Sequence, residues 1–218
     1  MAAQLVLASE SPRQRELLER VGFSVKPMPA NVDETPLPGE NAETYVKRLA
    51  RLKVMSVATR IQQTLYPDVE HGRLPRGATV RNAPLRWVLA ADTVVVQGND
   101  VLGKPFDHDE AVYMLQQLQG NEHYVVTAFC LYDMRKSKEG TQAVTTLVRM
   151  KQMTLNEIEK YLAVGESMDK AGAYAIQGVG SYLIDSLVGS YTNVVGLPLC
   201  QVVEMMQEMG ADDILPFM

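Results

Sequence analysis

The stretch Trp87-Val88-Leu89-Ala90-Ala91-Asp92-Thr93-Val94-Val95-Val96-Gln97 decides the fold. Its apolar residues occupy both faces of an extended chain, the pattern of a central strand covered on each side. Gly98-Asn99 then turns the chain into Val101-Leu102 as a hairpin. Asp92-Thr93 interrupts the run. A carboxylate is costly there unless it is paired, metal-bound or at an open edge. Ligands of α/β folds gather at the carboxyl ends of strands, where such an interruption would be exposed. The competing reading is a bulge with a locally hydrogen-bonded aspartate.

Upstream, Gln4 to Ala8 reads as a short buried strand. Ser11 is a good N-cap and Pro12 suits the first helical position, so a helix is predicted to about Val21 and ends at Gly22. Phe23 to Met28 reads as a second strand, Pro29 to Asn41 as a loop, and Thr44 to Arg60 as a helix with apolar residues at helical spacing. Gln62 to Arg86 breaks the rhythm with Pro67, Gly72, Pro75, Gly77 and Pro84 and reads as a loop.

Downstream, Asp107 caps a helix to Gln119. Two β-rich segments, 124–134 and 143–151, suggest a hairpin turning at Lys138-Glu139-Gly140. Thr154 caps a helix to about Val164, and Pro198 opens a last one reaching Met209. Interleaved strands and helices with added hairpins predict an α/β fold on a mixed sheet. With no compositional break, residues 1–218 read as one lobed domain.

A chain of 218 residues with 46% hydrophobic and 22% charged residues is long enough for a sizeable core. Its net charge of −5 argues against duplex nucleic acid as a partner, although a small polyanion remains possible where a few Lys and Arg converge. Cys130 and Cys200 lack metal-ligand spacing and read as buried small hydrophobes; His71, His108 and His123 form no zinc pattern. No signal peptide or membrane span is visible, and a reducing, cytoplasmic location is the expectation.

Besides Asp92 and Thr93, four segments can carry chemistry. Ser9-Glu10-Ser11-Pro12-Arg13 sits at a strand-to-helix junction, where free N–H groups suit a phosphate, or it is simply a well-capped helix. Gly103-Lys104-Pro105 fixes the backbone around one lysine, as surface turns also do. Asp33-Glu34 can hold Mg²⁺ through a carboxylate while phosphates supply other ligands, or can be merely solvated. The glycine-rich stretch from Asp169 to Gly180, with Gly189 to Pro198, means a binding loop or tight packing, and fits neither a Walker A loop nor a dinucleotide fingerprint.

Taken in order, Leu7-Ala8-Ser9-Glu10-Ser11-Pro12-Arg13, Val32-Asp33-Glu34, Ala91-Asp92-Thr93-Val94-Val95, Gly103-Lys104-Pro105, Lys170 to Gly178, and Gly189-Ser190-Tyr191 through Leu199 resemble the Maf family of nucleotide pyrophosphatases. The resemblance implies an elongated mixed sheet with flanking helices and two lobes around a deep cleft, similar to the inosine triphosphatase fold. It implies hydrolysis of nucleoside triphosphates to monophosphate and pyrophosphate, a divalent metal (Mg²⁺, Mn²⁺ or Co²⁺), and a homodimer. Arg13, Thr93 and Gln177 match the branch acting on dTTP and UTP. Alternatives are the same reaction on 7-methyl-GTP or another noncanonical nucleotide, and a regulatory nucleotide-binding protein linked to cell division.

By the same resemblance Asp92 is the carboxylate that activates water, with Glu34 and Asp92 toward the metal. Lys53, Lys104 and Arg13 neutralise the triphosphate, and Ser9 and Ser11 cradle it. Two departures stand out. Gln14 replaces a second arginine common in the family, which removes a cation from the phosphate end. The 62–86 segment is longer than usual and reads as a surface insertion.

Overall fold

A computed structural model describes residues 4–65 and 85–217. Its centre is β3 (Leu85–Gln97), whose first half alternates between two cores. Trp87, Leu89 and Ala91 face one hydrophobic cluster, and Val88, Ala90 and Val94 face another. Extended chain sends successive side chains to opposite faces, so an unbroken apolar run must be buried on both.

Strand β1 (Gln4–Leu7) lies parallel to β3 and to β2 (Val25–Pro27). On β3's other side comes β5 (Glu122–Asp133), then β6 (Lys138–Met150) and β7 (Ile184–Val188), all antiparallel. The short β4 (Asp100–Leu102) pairs back on β3. The described residues thus build one seven-stranded mixed sheet, ordered β2-β1-β3-β5-β6-β7 with β4 beside β3.

Helices cover both faces. On one, α1 (Pro12–Arg20) and α6 (Leu199–Met209) pack Leu17, Leu18, Val202 and Met206 over Leu5, Leu7, Leu89 and Phe129. On the other, α2 (Ala42–Leu65) lays Val46, Ala50, Val54 and Val57 over Val6, Val88, Ala128 and Cys130. A third cluster joins α3 (His108–Leu118) and α4 (Leu155–Leu162) to Val95, Val125 and Val148. The expected caps are present: Ser11, Asp107 and Thr154 each accept a backbone N–H, and Thr154 forms a reciprocal capping box with Glu157.

Several sequence expectations are corrected. The hairpin turns at 134–137, because Asp133 Oδ1 accepts the N–H groups of Arg135 and Lys136. Gly140 lies within β6, where a Cβ would come 2.7 Å from Met205 Sδ, so this glycine makes room for α6 and does not form the turn. Helix α2 continues through 62–65, which the sequence placed in a loop; the rest of that segment up to 84, with His71, lies outside the described residues. Strand β2 is shorter than expected because Phe23 turns into the core. Cys130 is buried, but Cys200 is exposed on α6. Strand β7, between the two glycine-rich segments, and the short helix α5 (Tyr191–Val195), in the second of them, were not foreseen.

Candidate active site

Pairing along one edge of β3 is interrupted. Its register with β1 ends at Leu7↔Leu89, and that with β4 begins at Val95↔Leu102. Between them, among the described residues, β3 has a strand neighbour only on the β5 side. Asp92 and Thr93 occupy this gap, and a cavity of about 370 Å³ opens there. The gap lies at the carboxyl end of the parallel strand β1, where α/β sheets bind ligands.

Ser9, Ser11, Arg13, Glu34, Lys53, Asp92, Thr93, Lys104 and Gln177 all line this one cavity, whereas Asp33 does not and instead accepts the Thr35 N–H. Asp92 points toward α2, from which Lys53 reaches across. Lys53 Nζ lies 2.5 Å from Asp92 Oδ1 and 2.7 Å from Glu34 Oε1. The Lys53 and Asp92 side chains are each only 14% exposed, while Glu34 stands at the mouth.

Burial opposes the charge on Lys53, but the two carboxylates outweigh it and its pKa is raised. Asp92 is also pushed up: burial raises it, Lys53 opposes this, and the Glu34 charge adds to the rise. A lifted aspartate is a better proton acceptor at neutral pH than an ordinary carboxylate.

Two carboxylates held around one cation site and open to a cavity fit a hard divalent ion. Among the described residues no group of three or more His, Cys, Asp or Glu could hold a metal. Asp92 and Glu34 are the carboxylates in the cavity that could hold such an ion.

The opposite wall is the start of α1. Ser9 Oγ accepts the Ser11 N–H at 3.1 Å and Ser11 Oγ accepts the Gln14 N–H, so each serine keeps its hydroxyl hydrogen for an anion at the positive end of the helix. Arg13 is held by Asp169, with Nη1 2.7 Å from Oδ2 and Nη2 donating to the Asp169 carbonyl. Asp169 also meets Lys170 Nζ at 2.6 Å. Its own burial opposes ionisation, but these two cations hold its pKa down to about 2. Lys104 is exposed at the rim.

Gln14 does more than leave an arginine's place empty. It is 5% exposed, and its Nε2 donates to the Ala91 carbonyl at 3.4 Å and to Gly196 at 3.0 Å. The amide thus satisfies the edge carbonyl next to Asp92 and ties together α1, β3 and the end of α5. The sequence reading took Gln14 only as a cation lost from the phosphate end, whereas it shares the helix's buried face with Leu17 and Leu18 at i, i+3 and i+4.

Gln177 lies on a segment whose backbone is anchored from outside the cavity. Tyr161 Oη accepts the Ala175 N–H, and the Glu166 carboxylate accepts those of Val179 and Gly180. Gly178 takes φ +67°, and a Cβ there would lie 2.6 Å from Glu166 Oε2. Asp169 and Lys170 fall in the stretch read as a binding loop or tight packing, without a role of their own; the buried polar set behind Thr93, comprising Thr127, Thr146 and Asn193, was missed. The unbroken apolar run around Thr127 on β5 marks it as buried, but nothing local reveals its partners. His123, read as sitting among polar neighbours, is 1% exposed and bonded to Tyr174 Oη at 2.7 Å. Burial lowers its pKa to about 4, which keeps it neutral.

A mixed α/β sheet with a strand-edge cavity, a capped helix start, converging cations and a carboxylate pair defines a protein built to hold a small polyanion. The chain belongs to the Maf family: the description "Maf-like protein" matches residues 4–209. It is 42% identical over 207 residues to a protein of Syntrophotalea carbinolica named dTTP/UTP pyrophosphatase, covering 95% of this chain and 85% of that one. Similar proteins of the same name come from Geobacter sulfurreducens (40% over 208 residues; 95% and 97% covered) and Syntrophomonas wolfei (39% over 206; 94% and 97%). No helix among the described residues is long and apolar enough to cross a membrane.

Proposed function

We propose that this protein hydrolyses dTTP and UTP to the monophosphate and pyrophosphate. The observation that carries the reading is the Glu34–Lys53–Asp92 cluster facing the start of α1 across one cavity. It occurs in a chain about 40% identical to proteins named for that activity. Water attacks the α-phosphorus, its oxygen forms the new P–O bond, and its proton passes to Asp92. The bond from the α-phosphorus to the bridging oxygen breaks, and pyrophosphate leaves.

Charge builds on the phosphoryl and leaving oxygens, so positioned cations supply most of the rate. Lys53, Lys104 and Arg13 are those cations, and Ser9 and Ser11 cradle the phosphates. Asp92 and Glu34 would hold a divalent ion such as Mg²⁺, Mn²⁺ or Co²⁺, which would supply further charge neutralisation and acidify water. Thr93 and Gln177 read the base. We read the chain as a single domain carrying a surface insertion, in a cytoplasmic homodimer; the single sheet spanned by both ends of the chain supports the first of these.

The test is product analysis over a nucleotide panel that includes CTP and 7-methyl-GTP, with added Mg²⁺ or Mn²⁺. Pyrophosphate and monophosphate from dTTP and UTP are expected. Diphosphate with orthophosphate, or a clear preference for 7-methyl-GTP, would overturn the assignment.

A further inference from the structure

Thr93 and Thr127 face each other across β3 and β5, with their hydroxyl oxygens 2.9 Å apart. Each hydroxyl has one hydrogen, so which of them donates decides what Thr93 offers the cavity. Thr127 Oγ1 also lies 3.0 Å from the Asn193 carbonyl oxygen, which has no hydrogen of its own. If Thr127 donated to Thr93, two oxygens would meet lone pair to lone pair at that distance in a fully buried place. Thr127 therefore donates to Asn193, and Thr93 donates to Thr127.

The carbonyl cannot move away, because Asn193 is locked. It is 0% exposed, and its Nδ2 donates to the Val125 carbonyl at 3.0 Å and to Thr146 Oγ1 at 2.9 Å. Thr146 is itself fixed on both sides of Ser190, accepting its N–H and donating to its carbonyl.

We infer that Thr127, which does not line the cavity, is a specificity-determining positioning residue: it fixes the Thr93 hydroxyl as a hydrogen-bond acceptor toward the bound base. This rests on the proposed function, in which Thr93 meets a pyrimidine. An acceptor-only hydroxyl pairs with the N3–H of uracil or thymine. It opposes cytosine, whose N3 is itself an acceptor. An ordinary threonine would rotate and serve either base, so the discrimination lies in the buried relay behind it.

The experiment compares kcat/KM for UTP and CTP in wild type, Thr127→Val, Thr127→Ala and Thr127→Ser, with thermal unfolding as the check on folding. Thr127→Val is nearly isosteric and frees the Thr93 hydroxyl. The UTP-to-CTP ratio should fall about tenfold, chiefly through KM, with CTP holding or improving. Thr127→Ala should do the same should the valine not fold, and Thr127→Ser, which keeps the relay, should retain the wild-type ratio. Equal losses on both nucleotides in the apolar variants, or a serine variant that loses selectivity while folded, would overturn the relay. A wild type that never distinguishes UTP from CTP would instead sink the base reading on which it rests.

Discussion

Replacing Lys53 by methionine tests the centre of the site. The substitution keeps the unbranched stem, ends one atom short of the lysine, and removes the ammonium that bridges Asp92 at 2.5 Å and Glu34 at 2.7 Å. Two unit charges at about 3–4 Å attract by about 4–6 kcal/mol at an effective dielectric of roughly 20. Water entering the vacated place screens part of this, and ~1.4 kcal/mol corresponds to one pKa unit, so the Asp92 pKa should climb by about 1–3 units. Burial and the Glu34 charge already push it upward, and the opposing cation would be gone.

Asp92 must be ionised to take a proton from water. The acid limb of the kcat/KM–pH profile should therefore move to higher pH by about 1–3 units, on top of a general loss of rate from the missing cation. Glu34→Gln provides the opposite sign. Glu34 raises Asp92, so its neutralisation should move the acid limb down. The assay is pyrophosphate release from UTP between about pH 4 and 9, with circular dichroism confirming the fold at each point. An acid limb that stays in place in Lys53→Met, or two variants that move it in the same direction, would refute the assignment of that limb to Asp92.

Asp92→Asn should abolish turnover, by about 10²–10⁴-fold, while nucleotide binding by calorimetry survives; near-normal kcat would place the base elsewhere. Leu89→Ala removes a fully buried side chain at the middle of β3, and urea unfolding should show a loss of about 2–5 kcal/mol. Asp169, held at about 2 by Lys170 and Arg13, titrates below its ordinary value. Its contribution to stability is present above about pH 4 and lost as pH falls toward 2, because the unfolded chain binds the proton first. Asp169→Asn should therefore show a smaller drop in Tm than wild type between about pH 5 and pH 2.5; an identical drop would remove Asp169 from the acid transition.

The covered strand at 87–97 and the capped starts at Ser11, Asp107 and Thr154 were legible because each is set by residues a few positions apart. The hairpin turn was misplaced because Gly140 signals a turn by composition, whereas it serves contact with Met205 some sixty residues away in the chain. Strand β7 escaped the reading because its five residues show no alternation of buried and exposed positions.

The sequence by itself determined most of the element types, the two-sided burial of β3 and the ordered motifs shared with the family. Side-chain period and turn chemistry are local properties, and the motifs name residues without placing them. Only the tertiary structure decided that Lys53 stands against Asp92, 39 residues apart, and Arg13 against Asp169, 156 residues apart. It alone turned Gln14 inward onto the Ala91 carbonyl and set Thr127 between Thr93 and Asn193. Those pairings follow from the order of strands in the sheet and from the gap between β1 and β4. Both are fixed by how all the apolar faces are buried together, and no single stretch of the chain carries that information.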